Sequence, residues 1–339
     1  MAKLAARLIV SVDTEEEGLW SDSFRATGNT VRNIGRLPRF QRLCDELGVE
    51  PTYFINSPVA TDANAVAVLK DFLGDGRCEI GGHVHPWNTA PLDHACDARR
   101  SYLCNLPLTE QREKLRVVTE QIADAFDRAP TSFRSGRYGL DRAGAALLAE
   151  LGYVVDSSVC PFTDYSVDGG PDFRGAPHRP YWIGSDLTRS GPPGGLLEVP
   201  VSFGFNRSNF ALAFRVHEFL RTRPLGHLRL PGVLDRLGVL QKIKFSPEKG
   251  DVVRLSRLAR AYLANGAPCM VMMFHSSSLL PGSTPYVTTE RELEAFFATL
   301  RATLEYCIDE LGMQPATLGG FAGDCIDAGL ALQTTGEGE

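Results

Sequence analysis

Apolar positions along the 339-residue chain keep switching between two periods. Residues 8–12 form a short apolar run, the pattern of a strand covered on both faces. Leu37, Phe40, Leu43 and Leu47 follow at helical spacing, and Gly48 stops that helix. Residues 52–55 and 78–80 read as the second and third strands, with a helix over 64–72 between them. A strongly amphipathic helix covers 109–126, with Leu115, Val118, Ile122 and Phe126 on one stripe and Thr109 as its cap. Strands are expected at 132–134, 153–156, 197–201 and 269–274, and helices at 140–151 and 289–311. Strands separated by helices predict an α/β fold built on a largely parallel sheet.

Two stretches break this rhythm. Residues 160–195 are rich in Gly, Pro and Asp, and residues 204–250 are basic and only partly periodic. Both read as insertions between strands, where substrate sites are built. The expectation is one catalytic domain over residues 1–330 with these two insertions, followed by a disordered tail at 331–339. A net charge of −6 without a dense Lys/Arg stripe excludes nucleic acid as the natural partner. No apolar run reaches the roughly 20 residues that span a bilayer. The apolar start runs straight into Asp13-Thr14-Glu15 without a small-residue cleavage site, so it reads as a buried strand rather than a secretory signal. The eight cysteines are scattered, with no CxxC pair. They read as free thiols and point to the cytoplasm.

The polar residues at the strand ends carry the chemistry. Asp13 and Glu15 follow the first strand, and alternation lets them face the same side. Two carboxylates so placed repel unless a cation or a proton lies between them. Glu16 and Glu17 extend the acidic run. His83 and His85 stand at i and i+2 after the third strand, and Pro86 keeps His85 extended, so both imidazoles share a face. Two imidazoles and one carboxylate form a three-ligand set with an open position, the pattern of catalytic zinc. Arg134, at another strand end, is suited to holding a carboxylate ionised, while Arg137 reads as a surface charge. His275 closes the last strand and suits a general acid. His94 is a reserve ligand.

These clusters, in this order, resemble the polysaccharide deacetylase (NodB-homology) superfamily over roughly residues 7–280. The resemblance implies an irregular (β/α)7-type barrel and a divalent metal, with zinc expected. It matches Asp13 to the catalytic base, with Glu15 replacing the metal-binding Asp of the first motif, displaced by one residue. Glu79-Ile80-Gly81 matches the segment before the two metal-binding His of the second motif. There Trp87 occupies the place of the second His, and His85 substitutes for it. Arg134 matches the Arg that steadies the base, Asp156-Ser157-Ser158 the fourth motif, and Met273-Phe274-His275 the motif of the catalytic acid. Tyr138 and Trp87, with Trp182, are candidates to stack on a sugar ring. The activity implied is hydrolysis of an N-acyl group on an amino sugar or oligosaccharide. The alternatives are another C–N hydrolase, acting on a formamide or cyclic amide, or a non-catalytic carbohydrate-binding homologue.

Overall fold

The computed structural model describes residues 5–20, 24–92, 96–222 and 230–327. Among the described residues eleven strands occur in chain order: β1 Arg7–Thr14, β2 Thr52–Ile55, β3 Glu79–Val84, β4 Ser132–Ser135, β5 Val155–Asp156, β6 Tyr181–Trp182, β7 Leu197–Glu198, β8 Phe203–Phe205, β9 Lys242–Lys244, β10 Cys269–His275 and β11 Gln314–Ala316. Seven of them run parallel in the order β10-β1-β2-β3-β4-β5-β7. β6 adds antiparallel to β7, and β11 pairs with the foot of β1. Between β7 and β10 the ring is bridged by single bonds: Ser202 N–H donates to Val271 O at 3.2 Å, and Met273 N–H to Phe245 O at 3.1 Å. This is the irregular (β/α) barrel that the family resemblance implies, built on the largely parallel sheet that the strand–helix rhythm predicts.

Alternation along the strands sorts the core. On β1, Leu8, Val10 and Val12 face outward into the helical layer, while Ile9 faces inward. The barrel floor is apolar: Ile9, Val155, Leu197 and Val271 pack against Leu318, Phe321 and Cys325 of the C-terminal helix Leu318–Asp327. Above that floor the inward positions turn polar, with Ser11, Asp13, His83 and Arg134 all buried. Because the seven strands are parallel, their C-terminal ends meet at one rim, and the site is assembled there.

Some local expectations shift. The helix Leu108–Phe126 begins one residue earlier than its pattern suggested, after Pro107, so Thr109 lies inside the first turn rather than capping it. The helix Arg142–Glu150 is capped by Asp141, which accepts from Gly144 N–H at 2.7 Å. Residues 160–195 are more than a surface loop. They supply β6, and Phe162, Phe173, Tyr181, Trp182 and Leu187 are buried. Trp182 packs in the barrel core, so it offers no face to a sugar. His94 lies outside the described residues.

Candidate metal centre and active site

Glu15, His83 and His85 converge at the C-terminal ends of β1 and β3, with His83 still inside β3. His83 Nε2 and His85 Nε2 are 3.1 Å apart, and Glu15 Oε2 lies 3.4 Å from the first and 3.2 Å from the second. The other ring nitrogens fix the tautomers. His83 Nδ1 lies 2.7 Å from Arg134 O, which only accepts, so Nδ1 carries the proton. His85 Nδ1 lies 3.0 Å from both Glu16 oxygens and donates to them. In the neutral rings both Nε2 lone pairs therefore point at one another and at a carboxylate. Burial alone would lower the His85 pKa, but Glu16 and Glu15 outweigh it and push it up to about 10.

The donor set fits a tetrahedral cation. Zinc bonds of roughly 2.0–2.2 Å place tetrahedral donors about 3.3–3.6 Å apart, close to the three spacings found. Glu15 Oε1 is buried and has no hydrogen-bond partner, which leaves it for a ligand. Gly136 makes room for the cluster, since a Cβ there would meet His85 Cδ2 at 2.4 Å.

The outer support comes from residues whose part the sequence did not disclose. Glu16 accepts from His85 and from Trp87 Nε1 at 2.9 Å, and Asn56 Nδ2 also donates to it. Burial would raise the Glu16 pKa, but His85 holds it down to about 2. A carboxylate behind a metal-binding imidazole fixes its tautomer and orientation. The four-acid run thus divides by task, with Glu17 tied to Arg32 at 2.6 Å at the surface. Trp87 is 5% exposed, and its ring stacks on His85 at 4.2 Å. With its N–H on Glu16, it backs the ligand instead of facing a sugar. Tyr138 is half-buried and keeps an open edge.

Asp13 lies beside this group. Arg134 Nη1 donates to Asp13 Oδ1 at 2.6 Å. The rest of that guanidinium is spent on Ser11 Oγ at 2.9 Å, Ser157 Oγ at 3.0 Å and Ser157 O at 2.9 Å. Burial pushes the Asp13 pKa up, but Arg134, His83 and His275 pull it down to about 2, so Asp13 is ionised. His275 is the cross-strand neighbour of Asp13. Its Nδ1 is 3.0 Å from both oxygens of Glu248, which also accepts from Ser278 Oγ at 2.6 Å. Burial lowers the His275 pKa, yet Glu248 more than offsets this and raises it to about 9. The His275 side chain is 21% exposed, against 3% or less for Glu15, His83 and His85. It is the most exposed of these four side chains. Glu248 had no signal in the sequence beyond its turn, Pro247-Glu248-Lys249-Gly250.

The structure therefore brings together Asp13, Glu15, His83, His85, Arg134 and His275. Asp156 stands apart. It is paired in register with Glu198 and with Phe133, which packs in the outer layer, so it faces away from the metal group. Only Ser157 of that motif reaches the site, through Arg134.

No protein-family model matches the sequence, and no curated protein matches it. Solved structures do match. A protein from Mycobacterium smegmatis assigned as a polysaccharide deacetylase aligns with a TM-score of 0.55 and 15% identity, over 99% of this chain and 96% of that one. One from Parabacteroides distasonis, assigned as a glycoside hydrolase/deacetylase, gives 0.60 and 12% over 95% and 71%. Puue allantoinase gives 0.50 and 13% over 95% and 89%. At these identities the likeness is one of fold. The chain has the fold of the polysaccharide deacetylase (NodB-homology) superfamily, as its motifs implied. That fold also serves an allantoinase, so the reaction has to be argued from the site.

Proposed function

We propose that this chain is a metal-dependent hydrolase that removes an N-acyl group, specifically N-acetyl, from an amino sugar or a surface-polysaccharide precursor. The observation that carries the reading is the convergence of two imidazole Nε2 atoms and Glu15 Oε2, flanked by an ionised Asp13 and a carboxylate-backed His275. Glu15, His83 and His85 would hold the ion, and zinc suits two nitrogens and one oxygen. When bound, it supplies Lewis acidity that polarises an acyl carbonyl and lowers the pKa of water toward ~7.

The chain's own residues manage the protons. Asp13 takes one proton from the attacking water. Its Oδ1 is occupied by Arg134, which leaves Oδ2 for the transfer. Arg134 stops Asp13 from turning, because its other nitrogens are fixed on Ser11 and Ser157. As the water oxygen bonds to the acyl carbon and the C–N bond breaks, His275 passes its Nε2 proton to the departing amine. Its Nδ1–H stays on Glu248, which steadies the ring through the transfer. The products are acetate and the free amino sugar. A base, an acid and three donors held together argue against a purely binding role.

The test is elemental analysis and acetate release on untagged protein. One divalent ion per chain is expected, lost in both His83→Ala and His85→Ala, with acetate released from N-acetylated amino sugars. Cyclic amides and formamides are assayed alongside. Ring opening without acetate release would move the substrate class, while no stoichiometric metal and no turnover would remove the enzyme reading.

A further inference from the structure

Residues 242–248 deliver two charged side chains to the rim. One is Glu248, already assigned to His275. The other is Lys244, at the end of β9, whose backbone is held against β10 by the Met273–Phe245 bond. Lys244 Nζ donates to Tyr138 Oη at 2.9 Å, and among the described residues it has no carboxylate partner. Tyr138 Oη in turn lies 3.6 Å from Met273 Sδ. Met273 precedes His275 by two residues on β10, so both point to the same inner side. Lys244 is therefore a half-buried cation held by a neutral hydroxyl and by the faces of Tyr138 and Phe203, whose ring centroids lie 5.4 and 5.6 Å from Nζ, with Asp13 and Glu248 acting on it from beyond ion-pair distance.

A second cation, one residue before Tyr138, repeats the pattern. Arg137 donates to Ser101 Oγ at 3.0 Å and to Tyr102 Oη at 2.9 Å, and it has no carboxylate partner among the described residues. Its guanidinium lies 4.4 Å over the Tyr102 ring. It lines a cleft of about 710 Å³ with Phe24, Arg99, Asn105 and Asp168. Phe24 packs on Trp87 at 5.1 Å, which places that cleft next to the metal group. Arg137 and Tyr138 both hold left-handed backbone, at φ 54° and 60°, a conformation costly for residues with a Cβ. The turn keeps this strain and sets the two side chains at the rim.

A partly desolvated cation with no carboxylate in direct contact is costly, and part of the cost is recovered when a ligand supplies a paired charge. Resting on the deacylase reading, we propose that the substrate carries an anionic group, carboxylate or phosphate, that docks on Lys244 beside Tyr138. Arg137 receives further negative charge along the cleft.

The experiment compares N-acetylglucosamine, N-acetylglucosaminuronic acid and N-acetylglucosamine 6-phosphate on metal-loaded wild type, Lys244→Met, Lys244→Arg and Arg137→Met. The ratio of kcat/KM for an acid to that for the neutral sugar is expected to be about 10 or more in wild type. It should fall toward 1 in Lys244→Met, mostly through KM, survive in Lys244→Arg, and drop partially in Arg137→Met. The two acids tell carboxylate from phosphate. Equal kcat/KM for acid and neutral sugars in wild type, or equal losses on both in Lys244→Met, overturns the inference and leaves the deacylase reading standing. Calorimetric binding to Asp13→Asn separates the two failures. If the acids bind at least tenfold more tightly than the neutral sugar and Lys244→Met abolishes this, while no variant hydrolyses anything, the inference stands and the reaction is wrong.

Discussion

Asp13 and His275 are neighbours across β1 and β10, yet their surroundings push their proton affinities apart. Arg134 holds the Asp13 pKa at about 2 against the cost of burial, and Glu248 lifts that of His275 to about 9 against the same cost. That divergence assigns base and acid. Asp13→Asn should keep fold and metal and lose about 100-fold to 10,000-fold in kcat, since an amide cannot accept the proton. His275→Ala should hurt N-acetyl sugars far more than an aryl acetate, whose phenolate leaves without protonation. Acetate release on both substrates checks this, and equal losses would take His275 out of the acid role. Glu248 supplies an independent reading of the same pair. A group whose folded pKa is raised is protonated below that value, so the acid form of His275 is present up to about pH 9 and lost above it. Glu248→Gln removes the charge that raises it. The alkaline limb of the kcat–pH profile should then move to lower pH by a unit or more, with metal content unchanged. An unmoved limb would leave Glu248 as packing only.

At the scale of elements, the site is a rim of strand ends, and this is why so much of it was legible. An apolar strand that turns abruptly into polar residues marks its own C-terminal end, and this happens after β1, β3, β4 and β10. Period-two alternation then says that Asp13, His83 and Arg134 face one interior. It says nothing of what approaches that interior from elsewhere in the chain. Glu248 and Lys244 arrive from the second irregular stretch, and Asn56 stands in a short Asn-Ser-Pro segment after β2, so neither periodicity nor spacing could assign them. Trp87 was misjudged for a related reason, since nothing in the sequence told an open aromatic face from one stacked on His85. The turn after β4 makes this scale testable. A Cβ at Gly136 would meet both His85 Cδ2 at 2.4 Å and Val84 O at 2.6 Å, and the backbone oxygen cannot yield cheaply. Gly136→Ala should therefore displace His85 and weaken metal binding by about 10-fold to 100-fold, the loss typical of a disturbed outer shell. Glu16→Gln should fall in the same range. Competition with a chromogenic chelator measures both, and wild-type affinity in Gly136→Ala would show that the turn can relax.

For the molecule as a whole, stability and catalysis use buried carboxylates in opposite ways. At the rim every acid has a cation or a proton donor. On the outer face, under residues 160–195, Asp156 and Glu198 stand side by side with neither exposed. Ser158 Oγ donates to Asp156 at 2.7 Å and Val159 N–H to Glu198 at 3.0 Å, but Glu198 Oε2 has no hydrogen-bond partner. Burial raises both pKa values, and for Glu198 the Asp156 charge raises it further, well above the ordinary carboxylate value. The folded state therefore keeps a proton that the unfolded chain releases above pH ~4.5. Linkage then makes stability fall as pH rises from that value through the folded pKa. Glu198→Gln removes the titration, while its carbonyl still accepts from Val159 and its amide can donate to Asp156. The variant should melt higher than wild type at pH 8, on the order of 3 °C or more, and the gap should close toward pH ~3, below the unfolded carboxylate values, where Glu198 is protonated in both states. Scanning calorimetry across that range tests it, with metal content measured in parallel because the pair faces away from Glu15, His83 and His85. A gap that stays constant with pH would mean that the pair holds no extra proton, and that residues 160–195 are pinned to the barrel by packing of Phe162, Tyr181 and Trp182 alone.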